Sequence, residues 1–133
     1  CQHIAAEFVC KFANDRIALP AIVLGTNSSN LTAIGNDYSF DDIFSRELSA
    51  IGNENDILIA ITTSGNSKNI INLVEKSILL GIPFYVLSGG TGGKLSIHKE
   101  LVIKIPSKIT ANIQEAHILL GHIICIYCEE EYL

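Results

Sequence analysis

The sequence predicts an α/β fold in which a doubly wound parallel sheet is sandwiched by helices. Two observations predict it. Short apolar runs that resemble buried strands alternate with longer helical runs, and these strands are almost continuously apolar instead of alternating with polar residues. Such strands are typical of a parallel sheet covered on both faces. The length of 133 residues fits a single domain over 1–133.

Each element follows from its local pattern. Four segments are rich in apolar and β-branched residues and are predicted as strands: 18–24, 57–62, 84–87 and 101–105. Helical periodicity predicts helices over 40–51, 69–80 and 109–131, and the turn-rich segment 28–35 becomes helical. Gly81 is placed to end the helix over 69–80 as a C-cap glycine.

The start of the chain carries a further expectation. The chain contains no methionine, and its first helical stretch lacks the strand that should lead into it. We therefore expect an N-terminal portion of the domain to lie upstream of Cys1.

Composition excludes several classes of function. The net charge is −5 and the nine Lys and Arg residues are scattered, which argues against nucleic-acid binding. No apolar run approaches the roughly 20 residues of a membrane span, so no membrane partner is expected. The four cysteines, Cys1, Cys10, Cys125 and Cys128, lie in apolar helix-like segments. They favour reduced core thiols over a disulfide framework or a zinc ribbon.

The stretch IAITTSGNSKN joins a buried strand to a helix through a loop rich in hydroxyls. Ligands of parallel α/β sheets gather at the carboxyl ends of strands, and a helix N-terminus there offers free backbone N–H groups. The hydroxyls of Thr62, Thr63, Ser64 and Ser67 add donors, and Gly65 allows a close turn. The loop suits a phosphate group; the alternative is a helix cap by Ser64 or Ser67 with incidental threonines.

A second candidate site joins the two ends of the chain. His3 and Glu7 share one helix face at i and i+4, and Gln114 and His122 lie about 80° apart on one side of the last helix. Two buried helices that present such pairs would form a tetrahedral site for a divalent metal. The alternatives are a solvated pair, a buried hydrogen-bonded pair, or a core histidine. His117 is a candidate for supporting the site, and His98 is expected on the solvated surface.

Four stretches together resemble one known family. QHIAAE, ALPAIVLGTNSSNLTAIGNDYSF, ILIAITTSGNS and IPSKITANIQEAHILLGH are similar, in order and spacing, to the sedoheptulose 7-phosphate isomerases. These phosphoheptose isomerases belong to the sugar isomerase (SIS) domain proteins. The family also carries a glycine-rich turn, GNGGSA, just before the QHIAAE helix, and this chain begins after that point.

The resemblance implies roles for individual residues. A zinc ion would be held by His3, Glu7, Gln114 and His122, with Glu7 as catalytic base and His122 as acid or proton shuttle. Whether Glu7 binds the metal weakly or is displaced by substrate stays open.

The remaining implied positions bind substrate. They comprise Asn36 and Asp37 at the sugar hydroxyls, the phosphate loop, and Glu7 and Gln114 near the reacting end; the loop residues are Thr62, Thr63, Ser64 and Ser67. The resemblance further implies a cytoplasmic bacterial homotetramer, with sites shared between subunits, that feeds lipopolysaccharide-core or capsule heptose synthesis.

Three alternatives belong to other functional groups. One is a non-catalytic SIS-domain regulator that binds the replication initiator; that group lacks an acidic residue at the position of Glu7 and a histidine at that of His122. Another is an isomerase for a different sugar phosphate, which would lack the QHIAAE and IQEAH helices as a set. The third is a sugar-phosphate sensor without chemistry.

Overall fold

The computed structural model describes residues 1–133 and contains five α-helices, three strands and two 3₁₀ helices. In chain order the regular elements are α1 (Gln2–Val9), α2 (Ser28–Asp37), α3 (Ile43–Ile51), β1 (Leu58–Ile61), α4 (Lys68–Leu79), β2 (Phe84–Gly89), β3 (Val102–Ile105) and α5 (Thr110–Glu130). The 3₁₀ helices cover Phe40–Asp42 and Gly93–Leu101. None of the helices has the length and apolar character that crossing a bilayer requires.

The three strands form one parallel sheet in the order β1-β2-β3. Leu58 pairs with Phe84, and Val86 pairs with Val102. Helix α4 packs on β1 and β2, whereas α5 packs on β2 and β3. The predicted fold class, a parallel sheet between helical layers, is confirmed.

The main core lies between the sheet and α4. Val74 of α4 and Val86 of β2 are fully buried there, and Leu48 of α3 and Leu95 of the second 3₁₀ helix close its sides. The opposite face of the sheet is covered by α5, where Ile113 lies so close to Gly89 that a Cβ on this glycine would collide with it. Both faces are therefore covered, which explains why β2 is apolar without alternation.

The predicted strand over 18–24 is wrong. This segment has no ladder partner; the N–H of Leu19 instead donates to the carbonyl of Phe8 at the end of α1. Pro20 lacks a backbone donor, which weakens any ladder through the middle of the segment. Ile22 is 76% exposed, so the apolar composition that suggested a strand is not buried within this chain.

The other elements match their predictions within a few residues. Gly81 has φ +70° and follows the C-cap residue Leu80, as expected for the end of α4. The 3₁₀ helix at Gly93–Leu101 was not predicted, because its glycine-rich start indicated a loop. The helix predicted over 40–51 begins with a 3₁₀ turn and continues as α3.

Helix α5 is not largely buried, contrary to the prediction. Its buried residues form one stripe, which faces the sheet in its first part and α1 with the following turn in its second: Ile113, His117, Gly121, Cys125 and Glu129. Leu119 and Tyr127 lie elsewhere around the helix and are 60% and 68% exposed. The sequence is apolar nearly all round, but the chain itself covers only one side.

The prediction of four core thiols is only partly right. All four cysteines are free thiols, but Cys1 and Cys10 are exposed and only Cys125 is buried. Burial raises the pKa of the Cys125 thiol, and the negative charge of Glu7 raises it further. Cys125 is therefore held in its neutral, unreactive form.

Candidate functional site

The structure brings His3, Glu7 and His122 together from the two ends of the chain. The Nε2 atoms of His3 and His122 are 3.1 Å apart, and Glu7 Oε1 lies 3.3 Å from His3 Nε2. One ligand atom from each residue lies within 4.8 Å of the others. We call these three residues the histidine–glutamate cluster.

Packing between α1 and α5 positions this cluster. Ile4 of α1 lies against Gly121 of α5, where a Cβ would come within 2.5 Å of the isoleucine side chain. The missing side chain lets the two helices approach closely. His122, the next residue along α5, thereby meets His3, the residue that precedes Ile4.

The cluster is more open than the sequence indicated. The side chain of His3 is 56% exposed and that of Glu7 is 25% exposed, and α1 has no fully buried residue. The prediction of two buried helices is therefore wrong for this chain on its own. On one side the cluster is covered by Phe12, whose ring centroid lies 5.3 Å from that of His122.

The donor set fits a divalent metal. Two imidazole nitrogens and one carboxylate oxygen are the ligand types that zinc prefers, and three protein ligands with one open position are typical of catalytic zinc sites. The close approach of two imidazole Nε2 atoms also suits a shared ion. The chain thus presents a cluster that is compatible with metal binding.

Gln114 forms no hydrogen bond with the three residues of this cluster. It is exposed and precedes His122 by eight residues, or about 12 Å along a helix that rises 1.5 Å per residue. Its neighbour Ile113 contacts Gly89 at the carboxyl end of β2. Gln114 therefore lies at the edge of the sheet where the strands end.

Two other histidines differ from expectation. His117 is buried, and its Nε2 pairs with the carbonyl oxygen of Ser88 at 3.2 Å. This contact anchors α5 to β2. The sequence made His117 a candidate for supporting the cluster, and it does not do so. His98 is only half-exposed, with its ring packed edge-on against Phe84 at 5.2 Å.

The hydroxyl-rich loop lies at the carboxyl end of β1, as predicted. The hydroxyl oxygen of Thr62 accepts the N–H of Gly65 at 3.3 Å, and that of Ser64 accepts the N–H of Asn66 at 3.1 Å. Ser67 is the N-cap residue of α4, but its side chain makes no capping bond. The capping alternative therefore does not explain Ser67, and the first N–H groups of α4 have no side-chain acceptor there.

A second glycine-rich turn fixes the shape of the loop. Gly65 has φ +66°, and a Cβ there would lie 2.0 Å from the carbonyl oxygen of Gly92. Asn66 joins the two turns, since its Nδ2 donates to Ser64 O and its Oδ1 accepts from Lys94 N. This role of Asn66 was not predicted from the sequence, although its position inside SGNS was the available indication.

Asn36 and Asp37 end helix α2 and are both exposed. The Nδ2 of Asn36 donates to Asp37 Oδ1 at 2.7 Å, and this hydrogen bond restricts the orientation of both side chains. The hydrogen bonds of this pair do not extend to the loop or to the cluster.

The hydroxyl-rich loop and the histidine–glutamate cluster lie near different positions along helix α5. A Cβ on Gly89 would meet both the side chain of Ile113 and the carbonyl oxygen of Thr63 at the loop. His122 follows Ile113 by nine residues, which is about 13 Å along α5. The two groups of polar residues are therefore separated within one chain.

Comparison with known proteins identifies the class to which this fold and these residues belong. The model of the SIS domain family matches residues 1–89. A phosphoheptose isomerase of Aneurinibacillus thermoaerophilus is 53% identical over 129 residues, which are 97% of this chain and 65% of that protein. One from Leptospira biflexa is 49% identical over 132 residues, 98% of this chain and 68% of that protein.

Solved structures give the same result. A phosphoheptose isomerase from Neisseria gonorrhoeae superposes with a TM-score of 0.89 at 40% identity, covering 97% of this chain and 68% of that one. A second, from Francisella tularensis, gives 0.87 at 41% identity, with 93% and 66% covered. The chain belongs to the SIS domain family, within the group of the phosphoheptose isomerases. It spans about two thirds of the length of these relatives.

Proposed function

We propose that this protein is a ketose–aldose isomerase. It would convert sedoheptulose 7-phosphate to D-glycero-D-manno-heptose 7-phosphate. The observation that carries the proposal is the convergence of His3, Glu7 and His122 from opposite ends of a chain similar to phosphoheptose isomerases. Glu7 and His122, whose ligand atoms lie within 4.8 Å of each other, offer the carboxylate and the imidazole that such acid–base chemistry needs.

The reaction moves a carbonyl from C2 to C1 of the sugar. One proton leaves C1, an enediol forms, and a proton is delivered to C2. We assign Glu7 as the base that takes the first proton. Its Oε1 faces His3, and Oε2 forms no hydrogen bond within the chain, so one oxygen remains for the substrate. His122 moves the proton between the two sugar oxygens as acid or shuttle.

The metal that we propose for the cluster is zinc. His3, Glu7 and His122 would hold it, and when bound it supplies Lewis-acid polarisation of the sugar carbonyl. Gln114, which the family resemblance gives as a fourth ligand, lies about two helical turns away in this chain. For Gln114 we propose contact with the substrate and ligation of the metal, either within its own chain or on a second copy of the chain.

The phosphate of the substrate is proposed to bind at the loop. Thr63, Ser64 and Ser67 offer hydroxyls beside the N-terminus of α4, whose partial positive charge favours an anion. The hydroxyl oxygen of Thr62 already accepts the N–H of Gly65, so Thr62 is assigned mainly to shaping the loop. Asn36 and Asp37 are proposed to contact the sugar hydroxyls.

The separation of loop and cluster supports a site shared between subunits. A distance of about 13 Å along α5 keeps the two apart in one chain, whereas a second copy could bring its own cluster to the loop. The exposed apolar side of α5, with Leu119 and Tyr127, offers a surface for such packing. We propose a homotetramer in the bacterial cytoplasm that serves heptose synthesis for lipopolysaccharide core or capsule.

The direct test incubates the full-length protein with sedoheptulose 7-phosphate, with and without a metal chelator. We expect formation of the aldose phosphate, its loss after chelation, and recovery when zinc is restored. Metal analysis of the same sample should find zinc. Binding of the sugar phosphate without turnover would instead identify a sensor. Binding of the replication initiator without turnover would identify a regulator, although the presence of both Glu7 and His122 favours the enzyme.

We predict that Ser64→Ala raises the KM for the phosphorylated sugar roughly tenfold, with a smaller change in kcat, because it removes a hydrogen bond to a charged phosphate. Steady-state kinetics measure both parameters. Ser49→Ala, which alters an exposed serine of α3, is the matched control and should leave both unchanged. An unaltered KM in Ser64→Ala would remove this serine from the phosphate site.

A further inference from the structure

A buried ion pair lies beside the histidine–glutamate cluster and contacts it from both sides. Glu129 of α5 and Arg16 of the segment after α1 have side chains that are only 3% and 2% exposed, and Arg16 Nε lies 3.7 Å from Glu129 Oε1. Neither residue was singled out by the sequence, and neither is part of the proposed chemistry. Buried charges are costly unless they are well satisfied, so the partners of this pair indicate its purpose.

Glu129 binds the chain that follows α1. Its two carboxylate oxygens accept the backbone N–H groups of Phe12, Ala13 and Asn14 at 3.0–3.3 Å, and the Asn14 side chain donates a further bond. Burial alone would raise the pKa of Glu129, but these hydrogen bonds outweigh it and hold the pKa below its ordinary value. The carboxylate is therefore charged at neutral pH. Its hydrogen-bond donors all come from the short turn at residues 12–14.

Arg16 binds the end of α1 itself. Its guanidinium donates to the carbonyl oxygen of Glu7 at 2.7 Å and to that of Phe8 at 2.8 Å. These carbonyls belong to the last turn of α1, which has no further helical N–H groups to satisfy them. Arg16 thus holds the backbone of Glu7, one of the three cluster residues.

The pair also reaches the other helix of the cluster. Glu129 follows His122 by seven residues, two turns along the same side of α5. The Phe12 backbone is fixed by Glu129, and its ring packs on the ring of His122 at 5.3 Å. One buried charge pair therefore contacts Glu7 through its backbone and His122 through an aromatic neighbour.

We propose that Arg16 and Glu129 are positioning residues that set the spacing of His3, Glu7 and His122 for metal binding. The proposal rests on the proposed metal site. Neither residue touches the metal or the substrate; they hold α1 on α5 at the distance at which the three ligand atoms converge. Hydrogen bonds that orient ligands from outside the coordination shell typically change metal affinity by about 10- to 100-fold.

The test measures binding of Co²⁺ to the full-length, metal-free protein. Affinity is obtained by competition with a chromophoric chelator, and coordination geometry from the visible absorption of the bound ion. We expect Glu129→Gln to weaken Co²⁺ binding about tenfold or more and to change the absorption bands. The control Glu130→Gln, at the adjacent exposed position of α5, should behave like the wild type.

Two milder variants keep the test decisive if Glu129→Gln does not fold. Arg16→Lys keeps the charge but loses the paired bonds to the carbonyls of Glu7 and Phe8, and Asn14→Ala removes one side-chain bond to Glu129. Both should shift Co²⁺ affinity in the same direction, Asn14→Ala by less. Unchanged affinity and spectrum in the variants that fold would overturn the positioning role and leave an ion pair that only stabilises the fold. A wild-type protein that binds no Co²⁺ would overturn the metal site and this proposal together.

Discussion

Glu7→Gln should lower the turnover of sedoheptulose 7-phosphate by about 10²-fold or more while the fold is retained, because the amide cannot accept the proton that leaves the sugar carbon. The amide is nearly the same size, and the side chain of Glu7 is partly exposed, so packing between α1 and α5 should not suffer. Turnover is measured under saturating substrate with the zinc content of each sample determined. The second measurement separates loss of the base from loss of the metal.

The control for this variant is Glu75→Gln on the exposed side of α4, which should keep full turnover. A Glu7→Gln protein that retains zinc and near-normal turnover would reject Glu7 as the base. If the variant instead loses zinc and regains activity at high zinc concentration, the main role of Glu7 is to bind the metal and not to act as the base. The two roles of this carboxylate, which the sequence alone leaves open, are thus resolved by one pair of measurements.

Mixing two impaired proteins should raise the activity above that of either one if the site is shared between subunits. One protein carries Glu7→Gln and contributes an intact phosphate loop; the other carries Ser64→Ala with Ser67→Ala and contributes an intact cluster. After the subunits are allowed to exchange at random, about a quarter of the shared sites combine both intact parts. The assay uses substrate well below the KM of the loop variant, so that the parent proteins are nearly silent.

The competing arrangement gives a clear opposite result. If loop and cluster of the same chain serve one substrate, every site in the mixture retains one defect, and activity stays at the level of the parents. Mixing each variant with itself under the same conditions controls for changes caused by subunit exchange. A lack of recovery, with exchange confirmed by mass, would place the whole site within a single subunit.

Most regular elements that the sequence predicted well surround the core of this chain. Strands β1, β2 and β3 and helix α4 lie around one core, so their composition and period reflect contacts within the chain. The segment 18–24 has the same composition but no partner strand, and Pro20 weakens its ability to form a ladder. The composition of a segment indicates that its side chains favour burial, but it does not indicate which surface covers them.

The residues of the candidate site likewise divide into those that the sequence predicted and those that it did not. His3, Glu7 and His122 were selected from the sequence and lie together, because the helix period and the family resemblance identify which side chains share a face. Whether Gln114 reaches the same site stays a prediction, since two residues on one side of a helix still differ by their rise along its axis. Arg16 and Glu129 were not predicted, because the sequence does not distinguish a buried charged residue from an exposed one when its partners are unknown.

The apolar outer side of α5 has a consequence for the thermodynamics of this molecule. Leu119, Ile126 and Tyr127 remain in water whenever the chain is alone, and burying such side chains supplies much of the free energy of folding in other domains. If these side chains are covered only upon association, the free energy of unfolding includes a term in protein concentration. Dilution would then loosen the fold itself, and a single melting temperature would have no meaning unless the amount of protein were stated with it.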